Sequence, residues 1–242
     1  MAGPDDLLIR FARAIATTPS SHALSERLCL ASRDLAGADA AALTVAYAET
    51  NRVTLFATDE LSARLEDLQE VMGEGPGYSA ASHRRDEVCR LGTLAAERWP
   101  LFSSAALELG GPATLHAVPM QPNNQLVGVM TLYQLEHPDT DLAMDVATLE
   151  RLAAATGAAL MRDPEAADQD LTDGPWQSRA QIHQATGMVV AQLGLSADDA
   201  LAVLKAHAYA GETTLADIAE RVVDKTIHFY NSPTDPPRQR GG

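Results

Sequence analysis

Apolar side chains recur three and four positions apart at Leu7, Leu8, Phe11, Ala14 and Ile15, which predicts a short amphipathic helix over residues 5–17. After the break "TTPSS", Leu24, Leu28 and Leu35 share one side of a second helix that stops at "AGAD". The pattern then changes. "AAALTVAYA" and "RVTLFATD" are short, with several β-branched or aromatic residues, and separated by "ETN", and they read as a β-hairpin. Leu61, Leu65, Leu68 and Met72 restore helical spacing until "GEGPG" ends it. From Tyr78 to about Pro100 no period persists, and this stretch is expected to be irregular. "ATLHAVPM" and "NQLVGVMTLYQL" form a second strand pair around "QPNN", and Leu142, Val146, Leu149, Leu152 and Leu160 predict a long helix over 141–161. Helices bracketing strand pairs predict an α+β fold with an antiparallel sheet.

Residues 162–175, "RDPEAADQDLTDGP", are charged, contain Pro and Gly, and hold almost no large apolar side chain, so they read as a linker. Three helices are predicted beyond it. The first, about 176–193, has Ile182, Ala185, Val189 and Leu193 on its inner side and stops at Gly194. Ser196 stands three residues before Asp199, close to a capping box, and opens the second helix, 197–210, with Ala200, Leu201, Leu204 and Ala208 inward. Thr213 or Thr214 caps the third, where Ile218 and Val222 point inward and Asp217 places negative charge in the first turn. The tail, 231–242, is rich in Pro and Gly and is expected to be disordered. Gly187 is the puzzle in this pattern. A glycine inside a helix costs about 1 kcal/mol relative to alanine, so some partner must need that helix face slim. Nucleic acid and a neighbouring helix both meet the requirement.

Charge bears on the choice. The 242 residues carry a net charge of −15, which opposes nucleic-acid binding. The excess is uneven: residues 1–170 hold 12 basic and 25 acidic side chains, whereas residues 171–242 hold 6 and 8. The C-terminal part is therefore only weakly acidic. No stretch approaches the length and apolarity of a membrane span, and the N-terminus, with two early aspartates, lacks the charge pattern of an export signal. The expectation is a soluble, cytoplasmic protein with no membrane partner. Cys29 and Cys89 lie far apart without CxxC spacing, which favours two buried or idle thiols over a metal site or a disulfide framework.

The segment "SRAQIHQATGMVVAQLGLSADDALAVLKAHAYAGETTLADIAERVV" resembles an ANTAR domain, a three-helix RNA-binding module of transcription antiterminators. The resemblance rests on several spaced features together: Ile-x-x-Ala-x-Gly, the Gly-x-Ser-x-x-x-Ala turn, the Leu-basic-x-x-Ala step and the final Leu-x-x-x-Ala. Upstream, "LEDLQEVMGEGPGYSA", "RWPLFSSAA" and "ATLHAVPMQPNNQLVGVMTLY" resemble GAF domains found before ANTAR domains in actinobacterial proteins. Many such domains carry Cys where Gly77 stands, so chemistry resting on that thiol is not expected. The resemblances imply a GAF-like sensor over 1–161, its antiparallel sheet flanked by helices, then a linker over 162–175 and a three-helix ANTAR bundle over 176–230. They also imply a homodimer that binds paired RNA hairpin loops of nascent transcripts and prevents a terminator from forming. On that reading Arg179 and Lys205 meet phosphates, Gln184 and Thr186 offer polar contacts, Gly187 allows close approach and Tyr209 stacks on a base. The alternatives remain open at this stage: Gly187 serving helix packing, and Tyr209 lying at the edge of a core. The helices at 5–17 and 141–161 are candidates both for dimerisation and for packing on their own sheet.

No catalytic spacing stands out, and no enzyme activity or cofactor is expected. Seven histidines are scattered without HxxxH or HExxH spacing, so no metal site is expected. "GEGPG" lacks the Lys-Ser/Thr of a P-loop. Both lysines, Lys205 and Lys225, lie in the C-terminal part, which disfavours a phosphorylated receiver domain at the front. Control through a small-molecule ligand, redox state or association remains open. The rival reading is a ligand-sensing or protein-interaction regulator whose ANTAR domain no longer binds RNA.

Overall fold

The N-terminal helical spacing folds as α1 (Pro4–Thr17), with Leu7 and Phe11 buried one turn apart. This computed structural model describes residues 4–46, 52–93, 97–162, 175–211 and 213–229. The expected linker and tail fall largely outside the described residues. The chain divides into two compact units, Met1–Gln177 and Ser178–Gly242.

In the first unit α2 (Leu24–Ala36) precedes the hairpin of β1 (Ala40–Ala46) and β2 (Arg52–Ala57). Then come α3 (Glu60–Met72), α4 (Pro76–His83), β3 (Glu87–Arg90), α5 (Pro100–Gly110), β4 (Thr114–Met120), β5 (Gly128–Gln134) and α6 (Val146–Leu160). The five strands form one antiparallel sheet in the order β2-β1-β5-β4-β3. Register aligns Leu43, Met130 and Val118 across the three central strands. These side chains enter the core made with Phe11, Leu28, Leu149 and Leu152, beneath α1, α2 and α6. On the opposite face Ala40, Tyr133, Leu115 and Cys89 align in one row and meet Leu65, Trp99 and Phe102 from the side of α3 and α5. Each fully buried large side chain contributes about 1.5–3 kcal/mol through lost apolar exposure. β5 is buried at all seven positions, which explains why its sequence does not alternate. Gly128 is required where β5 meets β1, because a Cβ there would collide with the Thr44 carbonyl.

A polar hub ties α3 to this sheet. Glu66 is buried, and its Oε1 accepts hydrogen bonds from the Tyr133 hydroxyl (2.6 Å) and Gln69 Nε2 (3.0 Å). Thr44 Oγ1 donates to Glu66 Oε2 (3.1 Å), and the Gly77 N–H donates to Gln69 Oε1 (2.7 Å). Three donors on one carboxylate offset the cost of burying it.

The stretch expected to be irregular instead contains α4 and β3, and α5 follows it. β3 is short, and its inward positions are Glu87 and Cys89 while Val88 and Arg90 face out, so its first two residues reverse the usual apolar-in, polar-out order. Glu87 is held inside by Arg98, whose Nη1 and Nη2 donate at 2.6 and 3.1 Å, and by Arg85 Nε at 3.0 Å. The Arg98 hydrogen bond, which outweighs burial, and then Arg85 keep the Glu87 carboxyl below its ordinary range. α5 buries Phe102 and Ala106 but exposes Leu101 and Leu107, so its apolar residues lie on both sides and no single-faced period marks it. The helix expected from 141 starts at Val146, where Asp145 accepts the Thr148 N–H (2.8 Å), and Leu142 packs against the core from the preceding segment.

The apolar stripes of α1 and α6 are largely spent within the unit. Phe11, Leu149, Leu152 and Leu160 join the core, while Leu8, Ile9, Val146 and Met161 stay exposed. Cys29 and Cys89 are free and buried in the cores on opposite sheet faces. Burial pushes both thiols up, Cys89 to about 11. Among the described residues no helix is long and apolar enough to cross a membrane, and no three His, Cys, Asp or Glu side chains gather to hold a metal ion.

Candidate nucleic-acid interface

Among the described residues the C-terminal region holds three helices: α7 (Pro175–Leu193), α8 (Ala197–Ala210) and α9 (Leu215–Val223). Their boundaries follow local chemistry. Ser196 caps α8: the Asp199 N–H donates to its Oγ (3.1 Å), and that hydroxyl donates to Asp199 Oδ2 (2.7 Å). Thr214 caps α9 in a capping box with Asp217, whose N–H donates to Thr214 Oγ1 (3.0 Å). Burial pushes the Asp217 carboxyl up, but hydrogen bonds from Thr213 and Thr214 outweigh it and hold the group below its ordinary range. Such caps contribute about 1 kcal/mol each.

The inner faces are those the spacing indicates. Ile182, Ala185 and Val189 are buried on α7, Ala200, Leu201, Leu204 and Ala208 on α8, and Leu215, Ile218, Ala219 and Val222 on α9. Leu193 is only half-buried. After α9 the chain turns back through Lys225 at φ 60°. There the Thr226 N–H donates to the Arg221 carbonyl (2.8 Å), and the Lys225 N–H donates to Val222 (3.1 Å). This is the hydrogen-bond pattern of a Schellman stop, with lysine where glycine is usual. The returning segment reaches both preceding helices. The Phe229 N–H donates to Gln192 Oε1 on α7 (2.8 Å), and its ring stands edge-on to His207 of α8, 5.3 Å between centroids.

The sequence-predicted site residues fall into two groups. Gln184 and Gly187 are three residues apart and both exposed, on the α7 face opposite Ile182, Ala185 and Val189. A Cβ built at Gly187 meets no atom within 4 Å, so helix packing among the described residues does not require the glycine. Thr186 is half-buried on the flank of the inner face, and its hydroxyl donates to the Ile182 carbonyl (2.7 Å). That leaves its oxygen as an acceptor for a partner. Arg179 lies within α7, and its side chain is outside the described ones. The second group is on α8, where Lys205 and Tyr209 stand one turn apart. Lys205 is half-buried, and Tyr209 is 59% exposed, which removes it from any core.

Exposed Ala202 and Ala206 leave the α8 face between Asp199 and Tyr209 low in profile. His207, Arg221 and Lys225 add exposed cationic or titratable groups, whereas Asp199, Asp217, Glu220 and Asp224 oppose them. The arrangement offers an aromatic face for stacking, amide and hydroxyl groups for hydrogen bonds, and few cations for phosphates. Sequence reasoning missed the left-handed Lys225 and the return of Phe229. The local hint was the aromatic pair Phe229–Tyr230 after the last helix.

No curated protein matches the chain. The ANTAR domain family matches residues 176–223, a span that runs from the start of α7 to the end of α9. The chain thus carries a C-terminal ANTAR domain, which fits an RNA-binding regulator of transcription.

Proposed function

We propose that this protein is a transcription antitermination regulator in which a GAF-type sensor controls a dimeric ANTAR domain that binds paired RNA hairpin loops. The ANTAR match over 176–223 carries the reading. The open face at Gly187 supports it, because a glycine that no described neighbour requires is suited to an external surface. Tyr209 is exposed where it can stack on an unpaired base, and Gln184 and Thr186 supply polar groups at the flank of α7. Lys205 and Arg179 would position phosphates. The first unit, an antiparallel sheet covered on both faces by helices, would supply the sensor, and pairing of two copies would double a sparse set of cations.

Fluorescence anisotropy of the full chain with an RNA carrying two adjacent hairpin loops tests this. Binding should exceed that to a plain duplex of equal length. If each copy of a dimer engages about three phosphates, log K should fall with log salt at a slope of about −4. Sedimentation should show two protein chains per RNA. Equal affinity for duplex and looped RNA, or none for either, would shift the assignment to a protein-interaction regulator, the reading that the acidic excess of this unit favours.

A further inference from the structure

A cavity of about 260 Å³ opens in the first unit where the end of α4, the end of β4 and the outer side of α6 meet. Its walls carry charge of both signs. Arg84, Arg85 and Asp86 come from the α4–β3 connection, and Glu150 and Arg151 come from α6. The loop wall is fixed in place: Arg84 holds a left-handed backbone (φ 54°), and its carbonyl accepts a hydrogen bond from Gln121 Nε2 (3.1 Å).

The charges do not satisfy one another. Arg85 is engaged by Glu87 at 3.0 Å. Arg151 donates from Nε and Nη2 to the Ala147 carbonyl and Thr148 Oγ1, within its own helix, and forms no ion pair with a described carboxylate, although Asp145 lies near enough to feel its charge. The side chains of Arg84, Asp86 and Glu150 make no hydrogen bond or ion pair with any described residue. Two guanidinium groups and two carboxylates that form no ion pair among the described residues therefore border one space without closing on each other. An anion would satisfy the first pair and repel the second, and a cation would do the reverse. A ligand carrying both charges matches all four. The cavity also lies just below the roughly 300–1,000 Å³ typical of sites for drug-sized ligands, which limits the occupant to a small metabolite.

We propose that this cavity binds a small free amino acid, its carboxylate held by Arg84 and Arg151 and its ammonium by Asp86 and Glu150. Burial, then the Glu150 and Glu87 carboxylates, push the Asp86 carboxyl up to about 6. The ligand would rest on α6. The site stands independently of whether the C-terminal domain binds RNA.

The test is calorimetry and thermal melting of the full chain with each common amino acid in turn, at a pH well above that of Asp86 titration. At least one should bind and raise the melting temperature. Glu150→Gln and Arg151→Gln, both at exposed α6 positions that the core does not use, should each weaken binding about tenfold, the effect of losing one charge-assisted hydrogen bond. The decarboxylated amine and the deaminated acid of the same amino acid should each lose most of the affinity. Binding by none of the amino acids, unchanged affinity in both variants, or equal binding of the deaminated acid would overturn the proposal. The last result would identify a simple anion site.

Discussion

Gly187→Ala separates an external role for the glycine from an internal one. Alanine is favoured over glycine within a helix by about 0.8–1 kcal/mol. Gly187 has no left-handed backbone angle, and an added Cβ would touch nothing within 4 Å, so no steric penalty offsets that gain. The variant should therefore be more stable by about 1 kcal/mol. For a unit of this size that is a rise of roughly 4–8 °C in the melting transition assigned to α7–α9. Hydrogen exchange of the α7 amides would locate the gain. RNA binding should move the other way. A methyl group forced into a packed interface costs about 1–3 kcal/mol, which weakens binding roughly 5- to 150-fold. Melting curves and anisotropy on the same preparations read both effects. A destabilised variant would mean that the glycine serves packing within its own chain. A stabilised variant with unchanged RNA affinity would mean that the Gly187 face is not the interface.

Tyr133→Phe removes the 2.6 Å hydrogen bond to buried Glu66 and leaves that carboxylate with two donors, so denaturant unfolding of the first unit should show a loss of about 1–3 kcal/mol. Lys225→Gly relieves a left-handed residue at the end of α9 and should stabilise the second unit by about 0.5–1 kcal/mol in thermal melts. Asp86→Asn should act with a defined pH dependence. The native carboxyl titrates near 6, above its ordinary 3.8, so the folded state binds the proton more tightly than the unfolded chain. Stability from this site is therefore present below about pH 4 and lost as pH rises to about 6. The asparagine variant should match the parent at pH 4 and exceed it above pH 6. The difference should stay near 1 kcal/mol or less, because solvent screens this half-buried group. Urea titrations at the two pH values check the sign.

The parts of the molecule legible in its sequence are those where one face of an element is buried and the other is wet. The α8 and α9 helices follow this rule, and Ser196 and Thr214 mark their starts because capping is a local hydrogen-bond problem. The β1–β2 hairpin and the β4–β5 pair were legible for the related reason that β-branched residues cluster between turn signals. α4, β3 and α5 were not, because partners distant in sequence decide their orientation. Glu87 points inward only because Arg98 and Arg85 arrive to meet it, and a pattern of apolar residues carries no trace of that. Likewise Gly187 could be flagged as anomalous from composition alone, but whether a neighbour filled the space above it was a question of packing.

Local chemistry along the chain thus determined the helical ends, the strand pairs and the three-helix C-terminal pattern that matches the ANTAR family. Tertiary structure decided the rest: which apolar stripes are consumed by the sheet, that Tyr209 stays outside a core, that Phe229 returns to α7 and α8, and that charges of both signs gather around one cavity. The physical reason is range. Capping and periodic burial act over one or two helical turns, whereas ion pairing, charge balance and free volume depend on residues that only folding brings together.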